Sequence, residues 1–317
     1  MLTRPLQAAD FIALATYQQA LAPRAAPVTP EALAEKESQA AAERTTGLVI
    51  TLREDAIIAT VRYSEARSLT DTPGTFWLYF STLPDDRTAA IFDALYQGAL
   101  TALAPHQPTL VQGMAREDDP VSVAFFQRHH FQETLRSYGA NLDLTTFDPA
   151  AHAPDESGLR ARGIAIKTYA ELADDPQRDR KLYNLQQSYL LEIPNIGHFD
   201  AQRFDEWVES TLHSDALLPD AYFVATHGED YVGVSELFTE DEAGVFTTGS
   251  TGVKAAYRRL GIALALKVRA LTYAKAQGGV RVSTGMAATN LPMVVLNRRL
   301  GFVAEPMWIT FQRRLQT

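Results

Sequence analysis

YRRLGIALALK, residues 257–267, follows closely on the apolar, threonine-rich run GVFTTGSTGV, residues 244–253, so the local order reads strand, short turn, helix. From Gly261 to Gln277 the chain is rich in good helix formers, with Leu264, Val268 and Leu271 at helical spacing and Gly278-Gly279 beyond the end. The first four N–H groups of such a helix lack partners inside it, and its dipole places about half a positive charge at that end. A phosphate answers both needs. Gly261 has no Cβ and lets a ligand approach the backbone, while Arg258 and Arg259 add charge that does not titrate. The plainer reading is that two arginines at a strand-to-helix junction are solvated decoration, so the rest of the chain has to decide.

The chain has 317 residues, enough for two domains of ordinary size, and 46% hydrophobic residues supply a core for each. Net charge is −9, which disfavours an extended nucleic-acid surface and leaves room for a local basic patch. The absence of cysteine excludes disulfides, thiolate metal sites and a cysteine nucleophile. None of the seven histidines, His106, His129, His130, His152, His198, His213 and His227, stands at metal-ligand spacing to a second ligand, and all are read as structural or surface residues. The start, MLTRPLQAADFIALATYQQALAP, has no long apolar core and no later run reaches about 18 apolar residues, so neither export nor membrane insertion is expected and the location is expected to be cytoplasmic.

AAHAPDESG, residues 150–158, is small, polar and interrupted by Pro154, as a linker between domains would be, and it cuts the chain nearly in half. The halves repeat. Arg87 in LPDDRTAAIFDAL and Arg258 are 171 positions apart, and so are Phe131 in FFQRHHF and Phe302 in LNRRLGF, with no gap required between the anchors. Upstream, residues 46–65 and 221–238 each read as strand, acidic turn, strand. Domains at 1–149 and 159–317 are expected, joined by 150–158. In the second, helices are predicted over 172–191, 204–212, 261–277 and 291–300, and strands over 222–226, 231–238, 245–253, 280–284 and 308–313.

Arg258, Gly261 and Ala263 fit the pattern Arg or Gln, two residues, Gly, one residue, Gly or Ala, and Asn290 stands eleven residues before the Gly of Leu300-Gly301-Phe302. In these two motifs, in order, the sequence resembles the GNAT superfamily of acyl-CoA-dependent N-acetyltransferases over about residues 220–305. The resemblance implies two tandem α/β (α+β) domains, each a mixed, mostly antiparallel sheet flanked by helices. It implies that the strand ending near Val253 splays from its neighbour and offers backbone groups to the pantetheine arm of acetyl-CoA. The turn Arg258, Arg259, Leu260, Gly261, Ile262, Ala263 would hold the pyrophosphate through backbone N–H groups, and Asn290 would lie by the pantetheine. In the first half the equivalents of Gly261, Ala263, Asn290 and Gly301 are Ala90, Phe92, Asp119 and His130. With Asp85 and Asp86 beside them, that half is expected to obstruct and repel the ligand and to bind no CoA.

The implied reaction is direct attack of a neutral amine on the thioester, with a backbone N–H near Val253 stabilising the developing oxyanion. Glu236 is the first choice of base, as an ionisable group in the middle of the apolar strand VGVSELF, where the plain alternative is a carboxylate pointing outward. Glu192, in LLEIPNIGHFD, is the rival. Many members of the family place a Tyr four residues before the Gly of the Leu-Gly-Phe ending to protonate the thiolate. Here Asn297 stands there, a cofactor contact without an acid's chemistry, which leaves Tyr257, water or no residue for that task. Phe204, Trp207, Val208 and Leu212 at helical spacing, and Trp308, are read as packing. The expected partner is a small-molecule amine, with no nucleic acid and no membrane, on a monomer or homodimer. The competing reading is an acyl-CoA-binding sensor that does not turn the thioester over.

Overall fold

The computed structural model describes residues 1–23, 26–66, 73–190, 203–240 and 242–315. Glu192 lies outside the described residues. In chain order the first elements are β1 (Leu2–Pro5), α1 (Phe11–Leu21), α2 (Pro30–Glu43), β2 (Thr46–Arg53), β3 (Ala56–Glu65), β4 (Thr75–Thr82), α3 (Ala89–Leu103), β5 (Leu110–Arg116), α4 (Pro120–Arg128) and β6 (Gln132–Asp143). There follow α5 (Glu156–Ala161), β7 (Ile164–Thr168), α6 (Arg178–Leu190), α7 (Phe204–Trp207), β8 (Phe223–His227), β9 (Asp230–Thr239) and β10 (Val245–Val253). The last are α8 (Ile262–Ala276), β11 (Arg281–Ala287), α9 (Leu291–Arg299), β12 (Val303–Ala304) and β13 (Trp308–Arg314). The fold is a mixed α/β one with mostly antiparallel pairing, and parallel joins occur at β4–β5 and β10–β11.

Two compact units emerge, Met1–Arg136 with Met307–Thr317, and Ser137–Pro306. The division does not fall at 150–158. That stretch lies inside the second unit, where Glu156 opens α5 and accepts a 2.9 Å hydrogen bond from Arg269 Nε of α8. The reason is in the last strand of each half. Residues Ser137 to Asp143 of β6 pair with β11, and β13 pairs with β5, so each half completes its counterpart's unit. Trp308, read as packing, stands opposite Arg116 on β13 and is 40% exposed.

The first unit has the strand order β1-β2-β3-β4-β5-β13. Val49, Phe76, Leu95, Phe125 and Phe311 lie in its larger core. In the second unit β7-β8-β9-β10-β11 runs on to Ser137–Asp143, and β12 pairs there with β6. Successive residues of a strand point to opposite faces, and each face carries a core. Gly233 turns to Ile262 and Leu266 of α8, while Val234 joins Leu182, Tyr189, Trp207 and Tyr222 on the side of α6 and α7. Helix α8 is buried nearly all round, with Ile262, Leu264, Leu266, Val268 and Leu271 each under 10% exposed. Each such side chain contributes about 2 kcal/mol of burial, so the helix that opens at the arginine turn is anchored by its own length.

Candidate functional site

The sequence TTGST in β10 decides the local geometry. Strands β9 and β10 pair in register up to Thr248–Leu237 and again from Thr251–Ser235, with a bulge between. Glycine in a strand marks such irregularities and close approaches, and both glycines here serve as the latter. A Cβ on Gly249 would come 2.3 Å from Glu236 Oε2, and one on Gly252 would come 2.4 Å from the ring of Tyr189. The bulge turns the Ser250 N–H to Glu236 Oε2, at 2.8 Å. On the other edge β10 follows β11 only from Val245 to Thr247, beyond which the registered pairing stops. Because the N–H groups of Ser250 and Lys254 turn toward β9, those of Thr251 and Val253, which alternate with them, turn to the open edge.

A cleft of about 500 Å³ lies along that edge. Arg258, Arg259, Gly261, Ile262 and Ala263 line it at the start of α8, Val253 and Gly252 along β10, Asn290 and Met293 from α9, and Tyr189 from α6. The turn is shaped for a ligand. Gly261 has φ +86° and Arg259 φ +62°, helix α8 begins with no side-chain cap, and a Cβ at Gly261 would find no atom within 4 Å. Uncapped N–H groups, open space before them and exposed arginines fit a pyrophosphate. Arg258 is also tied back to the strand, its Nε donating to the Val253 carbonyl at 3.1 Å. Asn290 precedes α9 with no side-chain cap hydrogen bond. Leu260 packs on the core beside the turn.

Glu236 is 4% exposed on β9 and accepts from Ser250 N–H and, at 3.2 Å, from the Tyr222 hydroxyl. Burial raises its carboxyl to about 7, against the pull of those two donors. A carboxyl poised there exchanges protons near neutral pH. Tyr189 is 4% exposed, and its hydroxyl closes no hydrogen bond of normal geometry among the described residues. Burial, then the charge of Glu236, hold its proton well above the ordinary phenol value, with the Ser250 side chain opposing.

The structure thus brings Val253, Arg258, Arg259, Gly261, Ile262, Ala263, Asn290 and Tyr257 onto one cleft. Asn297 is not on its wall. It is 2% exposed and donates to the Met286 sulfur at 3.3 Å. The Tyr257 hydroxyl is engaged by His227 Nδ1 at 3.1 Å. Sequence reading missed Tyr189, Tyr222 and Ser250; the one available signal was the glycine pair in TTGSTG, since strand glycines imply that large groups come close. It also missed Lys267, a fully buried lysine of α8 lying 5.5 Å from the Phe302 ring centre, which burial pulls down to about 8. Among the described residues no group of three or more His, Asp or Glu is placed to hold a metal, and no helix is long and apolar enough to cross a membrane.

The equivalent turn in the first unit is closed by its own side chains. Thr88 caps α3 by accepting from Ile91 N–H, and Asp86 pairs with Arg53 at 2.6 Å. Arg87 and Asp119, the equivalents of Arg258 and Asn290, form an ion pair in which Arg87 Nε donates at 2.9 Å, and Asp119 also caps α4. Phe92, expected to obstruct this turn, is 1% exposed in a cluster with Phe80 and Phe125, with the Arg87 guanidinium 5.5 Å from its ring centre.

Residues 180–302 match the model of the Acetyltransferase (GNAT) family. Over this segment the chain is similar to that family, whose fold serves acyl transfer from acyl-CoA. The whole chain is similar in structure to a GCN5-related N-acetyltransferase from Sphaerobacter thermophilus, with TM-score 0.68, 19% identity, and coverage of 100% of this chain and 96% of that one. It is equally similar to a tandem GNAT protein from the clavulanic acid biosynthesis pathway, with TM-score 0.68, 18% identity, and coverage of 100% and 99%. An acetyltransferase of the GNAT family from Colwellia psychrerythraea follows at TM-score 0.57 and 11% identity, with coverage of 99% and 100%. These likenesses show a tandem GNAT fold. No curated protein sequence matches the chain.

Proposed function

We propose that the second unit transfers an acetyl group from acetyl-CoA to a primary amine of a small molecule. The observation that carries this is the pairing of two features that flank β10: an uncapped, arginine-flanked helix start at Gly261 after it, and Glu236 of β9 across its bulge. Acetyl-CoA brings the activated acyl group as a thioester. Arg258, Arg259 and the first N–H groups of α8 would hold its pyrophosphate, and the open edge at Thr251 and Val253 would hold its arm and polarise the acyl oxygen.

Glu236 takes the proton of the attacking amine, directly or through water. A C–N bond forms, the C–S bond breaks, and the sulfur needs only a modest proton source, since a thiol's ordinary pKa is about 8.5. Tyr189 supports that role better than Tyr257, because it lines the same cleft and its hydroxyl is not engaged by a histidine as that of Tyr257 is. Solvent returns the proton from Glu236 to Tyr189. The first unit acts without a CoA site, its turn being closed by Arg87 and Asp119.

The test is thiol release from acetyl-CoA across a panel of small amines, with wild type and Glu236→Gln compared. The expected result is turnover that falls by about 10²- to 10⁴-fold in the variant while CoA affinity is kept. Wild-type binding of CoA with no amine ever acetylated would favour the sensor reading instead.

A further inference from the structure

Arg258 and Arg259 line the cleft at the helix turn, and Tyr189 of α6 lines it beside Gly252. The Tyr189 ring lies over Gly252 so closely that a Cβ there would stand 2.4 to 2.5 Å from Cδ1, Cε1 and Cζ. The ring fills the space above the strand at the point where the backbone edge is free. Behind it the core is packed, with Tyr222, Leu185 and Trp207 each 1% exposed. A close-packed interior does not yield a ring's volume without cost.

We propose that the Tyr189 ring sets the length of the acyl chain the site accepts, closing the cleft to chains much longer than acetyl. This rests on the acyl-transfer reading above and adds the size of the donor group to it. The block is set by the volume of the ring and not by its hydroxyl. Tyr189→Phe therefore keeps the block, and Tyr189→Ala removes it.

The test is calorimetric binding of CoA, acetyl-CoA, butyryl-CoA and hexanoyl-CoA to the full chain as wild type, Tyr189→Phe and Tyr189→Ala, with Tyr189→Leu in reserve should the alanine variant fail to fold. Wild type and Tyr189→Phe are expected to bind acetyl-CoA about tenfold or more tighter than hexanoyl-CoA. In Tyr189→Ala the order reverses, each methylene that enters the vacated space adding about fourfold in affinity. Equal binding of all three thioesters by wild type, or an unchanged order in Tyr189→Ala, overturns the inference. Absence of wild-type binding to free CoA overturns the acyl-transfer reading beneath it, so the two failures are distinguishable.

Discussion

Glu236 shows how one residue's burial is both a functional resource and a cost. A carboxyl raised from 4.5 to about 7 holds its proton more tightly in the folded chain than in the unfolded one. Its stabilising contribution is therefore complete below its ordinary value and is lost as pH rises through about 7, a loss of about 3 kcal/mol. The melting temperature of wild type should fall relative to that of Glu236→Gln between about pH 5 and pH 8, because the amide cannot ionise. Parallel curves would show that Glu236 ionises as an ordinary exposed carboxylate. Turnover runs the opposite way, rising through about pH 7 as the base form appears, and that step should vanish in the glutamine variant. At the same scale Tyr189→Phe should lower kcat by about 10-fold or more with CoA affinity unchanged, whereas loss of affinity without loss of kcat would place the hydroxyl in ground-state binding only.

Strand β10 is the element on which the site depends, and its two glycines are its most exacting positions. Gly249→Ala and Gly252→Ala each place a methyl within 2.4 Å of an existing side-chain atom. Each substitution should destabilise the chain by about 1–3 kcal/mol, read as a lower denaturant midpoint, and displace Glu236 or Tyr189 with a loss of turnover. Gly261→Ala is a useful contrast: its methyl meets nothing, so only the strain of φ +86° is expected, about 1 kcal/mol, together with weakened CoA binding. Much of this element could be read from sequence. The strand 245–253, the helix from Gly261 and the motif through Asn290 all follow from periodicity, propensity and the family resemblance, and the structure has them within a residue or two. The bulge was not legible, because a run such as TTGST fits a regular strand equally well and only its partner fixes where the register slips. Nor were Tyr189 and Tyr222 legible as site residues: they occupy apolar positions, and their hydroxyls acquire meaning only through what they meet.

For the whole molecule, the repeat at an offset of 171 residues was visible in the sequence, while the composition of the two compact units was not. A strand's residues record which face is buried and say little about which strand lies beside it, so the destinations of β6 and β13 were hidden. The repeat also frames the difference in function. The turn at Gly261 starts α8 with no side-chain cap, whereas at the equivalent turn of the first unit Thr88 caps α3 and Arg87 pairs with Asp119. Asp119→Asn should accordingly loosen the first unit without creating a CoA site, since Thr88 still caps α3. The most direct measurement is a calorimetric titration of acetyl-CoA into wild type and an Arg258→Ala/Gly261→Asp variant. One site per chain, lost in the variant while its melting temperature is largely kept, is the predicted result; two sites, or binding that survives in the variant, would contradict it.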